Sequence, residues 1–164
     1  MTRRLILIRH AKSGWDNGYA DDHGRTLTDR GHAAAEAIGE WLATSGYKPD
    51  LILTSDATRA LQTTTLVKRG LAATTETQEI GLLYHAAPDT IQEIVAKTEA
   101  NSVAVIGHNP GIGMAARRFV TYAPAHNRFD DYPTCATTII DFADEHWMKV
   151  GKGIATDFIV PRDL

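Results

Sequence analysis

Short apolar runs alternate with stretches of helical period along this chain. Leu5 to Ile8 is an unbroken apolar run bounded by charge, which suits a buried strand. A polar segment rich in Gly and Asp follows, from about His10 to Leu27. Thr28 then has the character of a helix N-cap, with Asp29 in the favourable first turn. Ala34, Ile38, Trp41 and Leu42 recur at i, i+4, i+7 and i+8, one face of a helix, and Gly46 and Pro49 end it. Leu51 to Thr54 predicts a second buried strand. Ser55 reads as the cap of a helix through about Lys68, with Gly70 as its stop. Thr75 to Ile80 predicts a weaker strand. Thr90 and Glu93 form a T-x-x-E capping box, and Ile91, Ile94, Val95 and Thr98 line the helix face after it. Ser102 to Ile106 is the most regular strand, broken by Gly107, and a helix from about Gly111 to Val120 follows. Thr137 to Phe142 and Ile154 to Val160 read as strands with no clear helix between them.

Strand and helix in alternation imply a mostly parallel sheet covered on both faces. The expected fold is therefore α/β, a three-layer α/β/α sandwich, with the last two strands pairing as an edge hairpin that makes the sheet mixed. At 164 residues without a linker or repeat, the chain suits a single domain over residues 1–164. Hydrophobic residues at 43% and charged residues at 23% place it among folded rather than disordered chains. A net charge of −3 argues against a nucleic-acid partner bound by bulk electrostatics. Cys135 is the sole cysteine, which excludes an internal disulfide and a cysteine-rich zinc site. No apolar run reaches membrane-spanning length, and the apolar run after Arg4 is too short for a signal peptide, so a cytoplasmic location is expected.

In sheets of this kind, ligands collect beyond the carboxyl ends of the strands. Arg9 and His10 follow the first strand. Ser55 and, one turn on, Arg59 follow the second, and Gly107-His108-Asn109-Pro110-Gly111 follows the strongest. Two arginines and two histidines thus converge on one edge. Guanidinium forks match a dianionic phosphate, and the helix beginning near Ser55 adds its positive end. A neutral imidazole beside that phosphate is a competent nucleophile, and a backbone carbonyl accepting from its other nitrogen would fix the tautomer. A second histidine can donate to the phosphoryl oxygens in the transition state. The set suits phosphoryl transfer through a phosphohistidine, with neither metal nor cofactor.

These residues sit in recognisable motifs. L-I-L-I-R-H-A-K-S-G-W-D resembles the R-H-G signature of the histidine phosphatase superfamily, which includes phosphoglycerate mutases and acid phosphatases. Arg25 to Gly31 is similar to its R-x-L-T-x-x-G turn, Leu53 to Thr63 to its second arginine motif, and V-I-G-H-N-P-G to its second histidine motif. The four motifs occur in the family's order and span most of the chain. R-H-A-K-S, L-Y-H-A, the closing P-R-D-L and the short length resemble the SixA-like branch, which includes protein-histidine phosphatases. The resemblance implies a phosphoglycerate mutase-like fold, His10 as nucleophile, and Arg9, Arg59 and His108 as the rest of a catalytic, phosphate-binding pocket. The implied substrate is a phosphorylated protein, phosphohistidine above all, or a small phosphorylated molecule.

The chain departs from the family pattern in places. Ala11 replaces the usual glycine, and Asp16 stands where mutase-like members carry a phosphate-contacting asparagine. The general acid is also unassigned. Glu79 is the nearest match, with Tyr84, His85 and Asp16 as other candidates, or no acid at all; a phosphoramidate leaving group is protonated more easily than an alkoxide.

Taken singly, each motif has an ordinary reading. Arg9-His10 alone suits a surface pair, Arg59 an exposed helix position, and His108 to Gly111 a turn. His23, His32, His85, His126 and His146 lack metal-ligand spacing and suit solvated or structural roles. Trp15 and Tyr19 suit a pocket rim or packing anchors, and Lys12 an anion-attracting or a solvated position. Residues 121–134 read as a polar loop that either covers the site or leaves it open to a macromolecule. The rivals are a phosphatase of small metabolites on the same fold, a phosphate-recognition module without turnover, and a metal hydrolase built on the histidines. Intact His10 and His108 speak against the module, and sensitivity to chelators separates the metal hydrolase.

Overall fold

The computed structural model describes residues 2–15, 18 and 21–164. Among these, six strands form one sheet: β1 (Arg3–Arg9), β2 (Leu51–Thr54), β3 (Glu76–Glu79), β4 (Ser102–Gly107), β5 (Thr137–Phe142) and β6 (Ile154–Ile159), in the order β3-β2-β4-β1-β5-β6. The pairs β1–β4, β2–β4 and β2–β3 are parallel; β1–β5 and β5–β6 are antiparallel. The helices are α1 (Asp29–Thr44), α2 (Thr58–Leu71), α3 (Pro88–Ala96) and α4 (Gly111–Phe119). The sheet is mixed and mostly parallel, with the expected hairpin at one edge.

Alternation along the buried strands sorts the core into two layers. Ile6, Ile8, Ile52, Ala104, Ile106 and Ile139 pack with α1 and α2 through Ile38, Leu42, Ala60 and Val67. Leu5, Leu7, Leu51, Leu53, Val103 and Val105 pack with α3 and α4 through Ile91, Val95, Ile112 and Phe119. At about 1.5–3 kcal/mol for each large apolar side chain buried, these layers dominate the favourable side of folding.

Helix ends differ in part from their sequence signals. Thr28 caps α1 as expected, its Oγ1 accepting from Gly31 N–H at 3.1 Å. Gly70 does not stop α2; the helix runs to Leu71 and ends at Ala72, which is left-handed at φ +50°. Gly70 serves close packing instead, because a Cβ there would meet the Glu36 carbonyl of α1 at 2.2 Å. Nor do Thr90 and Glu93 box the start of α3. The helix begins at Pro88, whose fixed φ and missing N–H suit a first turn, so Thr90 is already inside. No helix among the described residues is long and apolar enough to cross a membrane.

The stretch 121–134 is not simply a polar loop. It buries Phe129 and Tyr132, and the Tyr132 hydroxyl donates to the Leu7 carbonyl at 2.9 Å in the middle of β1. This anchor brings the loop's backbone against the carboxyl end of β1.

Candidate active site

The parallel ladder places the strand ends side by side. Arg9 of β1 is in register with Gly107 of β4, and Thr54 of β2 with Ile106. The ladder continues one residue further, with His10 N–H donating to the Gly107 carbonyl at 2.9 Å and Ser55 N–H to the Ile106 carbonyl at 3.0 Å. His10, Ser55 and His108 therefore emerge together, and α2 carries Arg59 in beside them. The cleft lined by His10, Arg59 and His108 is about 220 Å³ and also includes Arg9, Lys12, Asp22, Arg25, His85 and Asn109. All four residues expected at a phosphate site, Arg9, His10, Arg59 and His108, meet there.

His10 is buried, and its Nδ1 lies 2.8 Å from the Ala11 carbonyl. A carbonyl only accepts, so Nδ1 carries the proton and Nε2 keeps a lone pair. Nε2 in turn accepts from Arg59 Nε at 3.4 Å. Burial first, then the charges of Arg9, Arg59 and Arg25, push the His10 pKa down to about 3, despite the opposing bond to Ala11. The imidazole is neutral at physiological pH. Ala11 does not require a glycine: its φ is negative, and its N–H donates to Thr63 Oγ1 at 2.9 Å.

His108 faces His10 with ring centroids 5.1 Å apart. Its Nε2 lies 2.8 Å from Ser55 Oγ, and that oxygen accepts from Ala57 N–H at 3.2 Å. Burial, then the neighbouring His10, Arg59 and His85, push its pKa down to about 3 as well. Ser55 is thus no cap for α2. It holds His108, and the helix starts three residues later, its Thr58 N–H donating to the His23 carbonyl at 3.0 Å. Arg9 donates through Nη1 to the Tyr132 carbonyl at 3.2 Å. Among the described residues, three buried side-chain polar atoms lack a partner, and two of them are Arg9 Nε and His108 Nδ1. Unpaired buried donors cost about 1–3 kcal/mol each, so their pairing here suits a ligand rich in acceptor oxygens.

The far wall of the cleft holds a carboxylate that no motif singled out. Asp22 accepts from Arg59 twice, through its carbonyl at 2.6 Å and Oδ2 at 3.2 Å, and from Arg25 Nε through Oδ1 at 3.2 Å. Tyr84 donates its hydroxyl to Asp22 Oδ2, and His85 Nε2 lies 3.5 Å from the same oxygen. The Tyr84 bond, followed by Arg59 and Arg25, holds the Asp22 carboxyl far below the usual range, and the same bond raises the Tyr84 pKa. The available signal for Asp22 was its place three residues before Arg25, inside a segment that otherwise reads as solvated.

The remaining candidates divide clearly. His85 lines the cleft while staying solvent-exposed, and Tyr84 packs against His85 and His108. Glu79 is exposed at the end of the edge strand and does not line the cleft. Trp15 is exposed and stacks under the Arg25 guanidinium at 4.2 Å. Asp16 and Tyr19 lie outside the described residues. His23 is paired with Asp56 at 2.9 Å and His126 with Asp163 at 3.0 Å. Among the described residues, three of the four non-glycine positions with positive φ also stand at the site. They are His85, Tyr132, and Cys135, whose N–H donates to the Arg9 and His10 carbonyls. Left-handed backbone at such residues costs roughly 1–2 kcal/mol each and is tolerated where the surroundings impose it.

Comparison with known proteins gives the family and the fold. Residues 5–80 match the model of the histidine phosphatase superfamily, branch 1. An uncharacterized protein of Mycobacterium tuberculosis is 35% identical, over 94% of this chain and 100% of its own length. The crystal structure of Agrobacterium tumefaciens SixA, assigned as a phosphohistidine phosphatase, superposes with a TM-score of 0.78 at 30% identity, covering 97% of this chain and 99% of that one. The human mitochondrial serine/threonine-protein phosphatase PGAM5 is 30% identical over 97% of this chain, which spans 58% of that protein.

Proposed function

Because the chain belongs to the histidine phosphatase superfamily and is SixA-like, we propose that this phosphatase works through a covalent phosphohistidine on His10, with phosphohistidine on a protein as its favoured substrate. The observation that carries the mechanism is the His10 imidazole, which is neutral, buried and held by Ala11 in the tautomer that keeps the lone pair on Nε2. Arg9 and Arg59 clamp the phosphoryl oxygens. The Ser55 hydroxyl takes a hydrogen bond from Ala57 N–H and donates its own to His108 Nε2, which keeps the His108 proton on Nδ1 for a phosphoryl oxygen.

In the first step, a bond forms between Nε2 and phosphorus as the bond to the leaving group breaks. The leaving group departs with its electron pair and takes up a proton. The phosphorylated ring keeps its Nδ1 proton, which the Ala11 carbonyl stabilises as positive charge develops. In the second step, water adds to phosphorus, the Nε2–phosphorus bond breaks, and inorganic phosphate leaves with neutral His10 restored. An imidazole leaving group needs less acid assistance than an alkoxide, which fits a cleft where, among the described residues, the lining carboxylate Asp22 is ionised. No step calls for a metal or cofactor, so chelators should leave the rate unchanged. The likeness to a SixA assigned as a phosphohistidine phosphatase, and to PGAM5, named a protein phosphatase, supports a protein substrate.

The test is to quench turnover with labelled substrate. The parent should carry acid-labile, base-stable phosphate, and folded His10→Ala should carry none and turn over nothing. Substantial kcat in folded His10→Ala would remove the covalent route. A screen of phosphohistidine proteins against small phosphate esters at matched concentration tests the substrate class.

A further inference from the structure

A second depression of about 390 Å³ adjoins the phosphate cleft and shares Arg9, Lys12 and Thr134 with it. It runs between the start of α1, the loop through Thr134 and the chain's C-terminal turn. Its charged lining is Arg9, Lys12, Arg30, Arg128 and Arg162, against the single carboxylate of Asp131. Asp131 is already spent on Arg128, with contacts of 2.9–3.1 Å. Arg30 and Arg162 are exposed and make no ion pair among the described residues. Asp163, next to Arg162, is occupied by His126 at 3.0 Å and by Val160 N–H at 2.9 Å. The chain as a whole carries −3, so this cationic concavity runs against the net charge.

We propose that this groove binds an acidic segment of the phosphorylated protein, so that Asp or Glu side chains beside the phosphorylated residue lie over Arg30 and Arg162 while the phosphoryl group sits on His10. The inference rests on the protein-substrate reading above. The groove has the volume of a ligand cleft, larger than the neighbouring phosphate cleft, and it is continuous with that cleft through Arg9. Charge complementarity selects acidic chain. Asp22 on the opposite wall of the phosphate cleft is already paired with Arg59 and Arg25, so the cations left for an acidic flank, Arg30 and Arg162, lie on the groove side.

The experiment uses the full chain and the double charge reversal Arg30→Glu/Arg162→Glu, with Arg30→Gln/Arg162→Gln as a milder second variant and Tm as the check on folding. Three substrates are compared: a phosphohistidine peptide flanked by glutamates, the same peptide with glutamines, and a small aryl phosphate. The parent should prefer the acidic peptide, and the preference should shrink with salt. Charge reversal should lower kcat/KM for the acidic peptide by at least about tenfold, mainly through KM, with the other two substrates within about twofold of the parent. If the parent handles both peptides equally, or the variants lose rate on all substrates alike, the groove proposal is overturned while a protein substrate stands. If the aryl phosphate is hydrolysed and neither peptide is, the protein-substrate reading falls and the groove proposal with it. If a small bisphosphate, run as a fourth substrate, shows the charge-dependent loss and the acidic peptide does not, the groove serves a metabolite and the proposal is wrong.

Discussion

The two walls of the phosphate cleft are held in place by different means. Arg9, His10, Ser55 and His108 leave the sheet at three adjacent strand ends whose register is set by the backbone ladder. Moving any of them means breaking strand pairing in the most buried part of the molecule. Asp22, Tyr84 and His85 come from loops and are held mainly by one another and by Arg59 and Arg25. The first wall is rigid because of what lies beneath it, and the second because its charges and hydrogen bonds are mutually satisfied. Arg59 is the link, one edge of its guanidinium on His10 and the other on Asp22. Chemistry that depends on a lone pair aimed within a few tenths of an ångström belongs on the first wall, and tuning belongs on the second.

Arg59→Ala should break the comparison most severely, because it removes a phosphate clamp and the bridge between walls together. kcat/KM should fall by about 10²–10³-fold, the usual cost of losing a charge-assisted donor to a transition state. Orthovanadate should inhibit the variant far less well than the parent. Equal inhibition of both would show that Arg59 does not touch the phosphoryl group.

Acid should act on the first wall in two ways. The folded-state pKa values of His10 and His108 lie near 3, against about 6.5 in the unfolded chain. Between those values the unfolded chain binds protons that the folded chain does not, so this contribution to stability is complete above about 6.5 and is lost as pH falls toward 3. The Tm of His108→Asn should therefore fall less steeply than the parent's across that window. The acid limb of kcat/KM on an aryl phosphate should lie well below 6.5, because His10 stays neutral there. An acid limb at the ordinary histidine value would mean that His10 is not shielded as described.

The difference between the walls also explains what could be read from the chain alone. Arg9, His10 and His108 directly follow apolar runs, and Arg59 stands one turn into the next helix, so local pattern and fold class together bring them to one edge. Asp22 stands in an Asp- and Gly-rich segment where every carboxylate looks solvated, and its meeting with Tyr84 is a contact across 62 residues. Ser55 was legible as a capping type, but a serine that follows a strand can serve a neighbouring strand end equally well. Residues 121–134 look polar because acidic and basic residues surround Phe129 and Tyr132; the i, i+3 spacing of those two aromatics is the trace of their burial. The edge strand β3, exposed on most of its length, has too little apolar pattern to fix its ends.

Asp22→Asn sharpens the comparison on the second wall. The backbone acceptor for Arg59 remains, so only side-chain hydrogen bonds and the negative charge are altered. Loosening Arg59 should lower kcat by about tenfold, the equivalent of one hydrogen bond of roughly 1.4 kcal/mol. Removing a carboxylate from a cleft that holds phosphate should at the same time tighten inhibition by inorganic phosphate. Weaker phosphate inhibition together with unchanged kcat would show that Asp22 acts only on the loop that carries it.

The smallest effect is expected at Glu79, the best sequence match for a general acid. Glu79 ends β3, in register with Thr54 of β2, and the sheet order puts β2 and β4 between it and β1. Three strand spacings of about 4.8 Å separate it from the His10 strand, roughly 14 Å at the backbone, beyond the reach of one carboxyl group to a leaving oxygen. Asp22, the carboxylate that lines the cleft among the described residues, is ionised and bound by Tyr84 and two arginines, which makes it a poor proton donor. Rates should therefore depend steeply on leaving-group pKa, with aryl phosphates and phosphohistidine reacting well and alkyl phosphates poorly. The plot of log kcat/KM against leaving-group pKa for Glu79→Gln should superimpose on that of the parent. A shallow parent slope that steepens only in Glu79→Gln would mean that the edge strand bends its last residue into the cleft during turnover, and would shift the expected substrate toward small phosphate esters, whose alkoxides most need the proton.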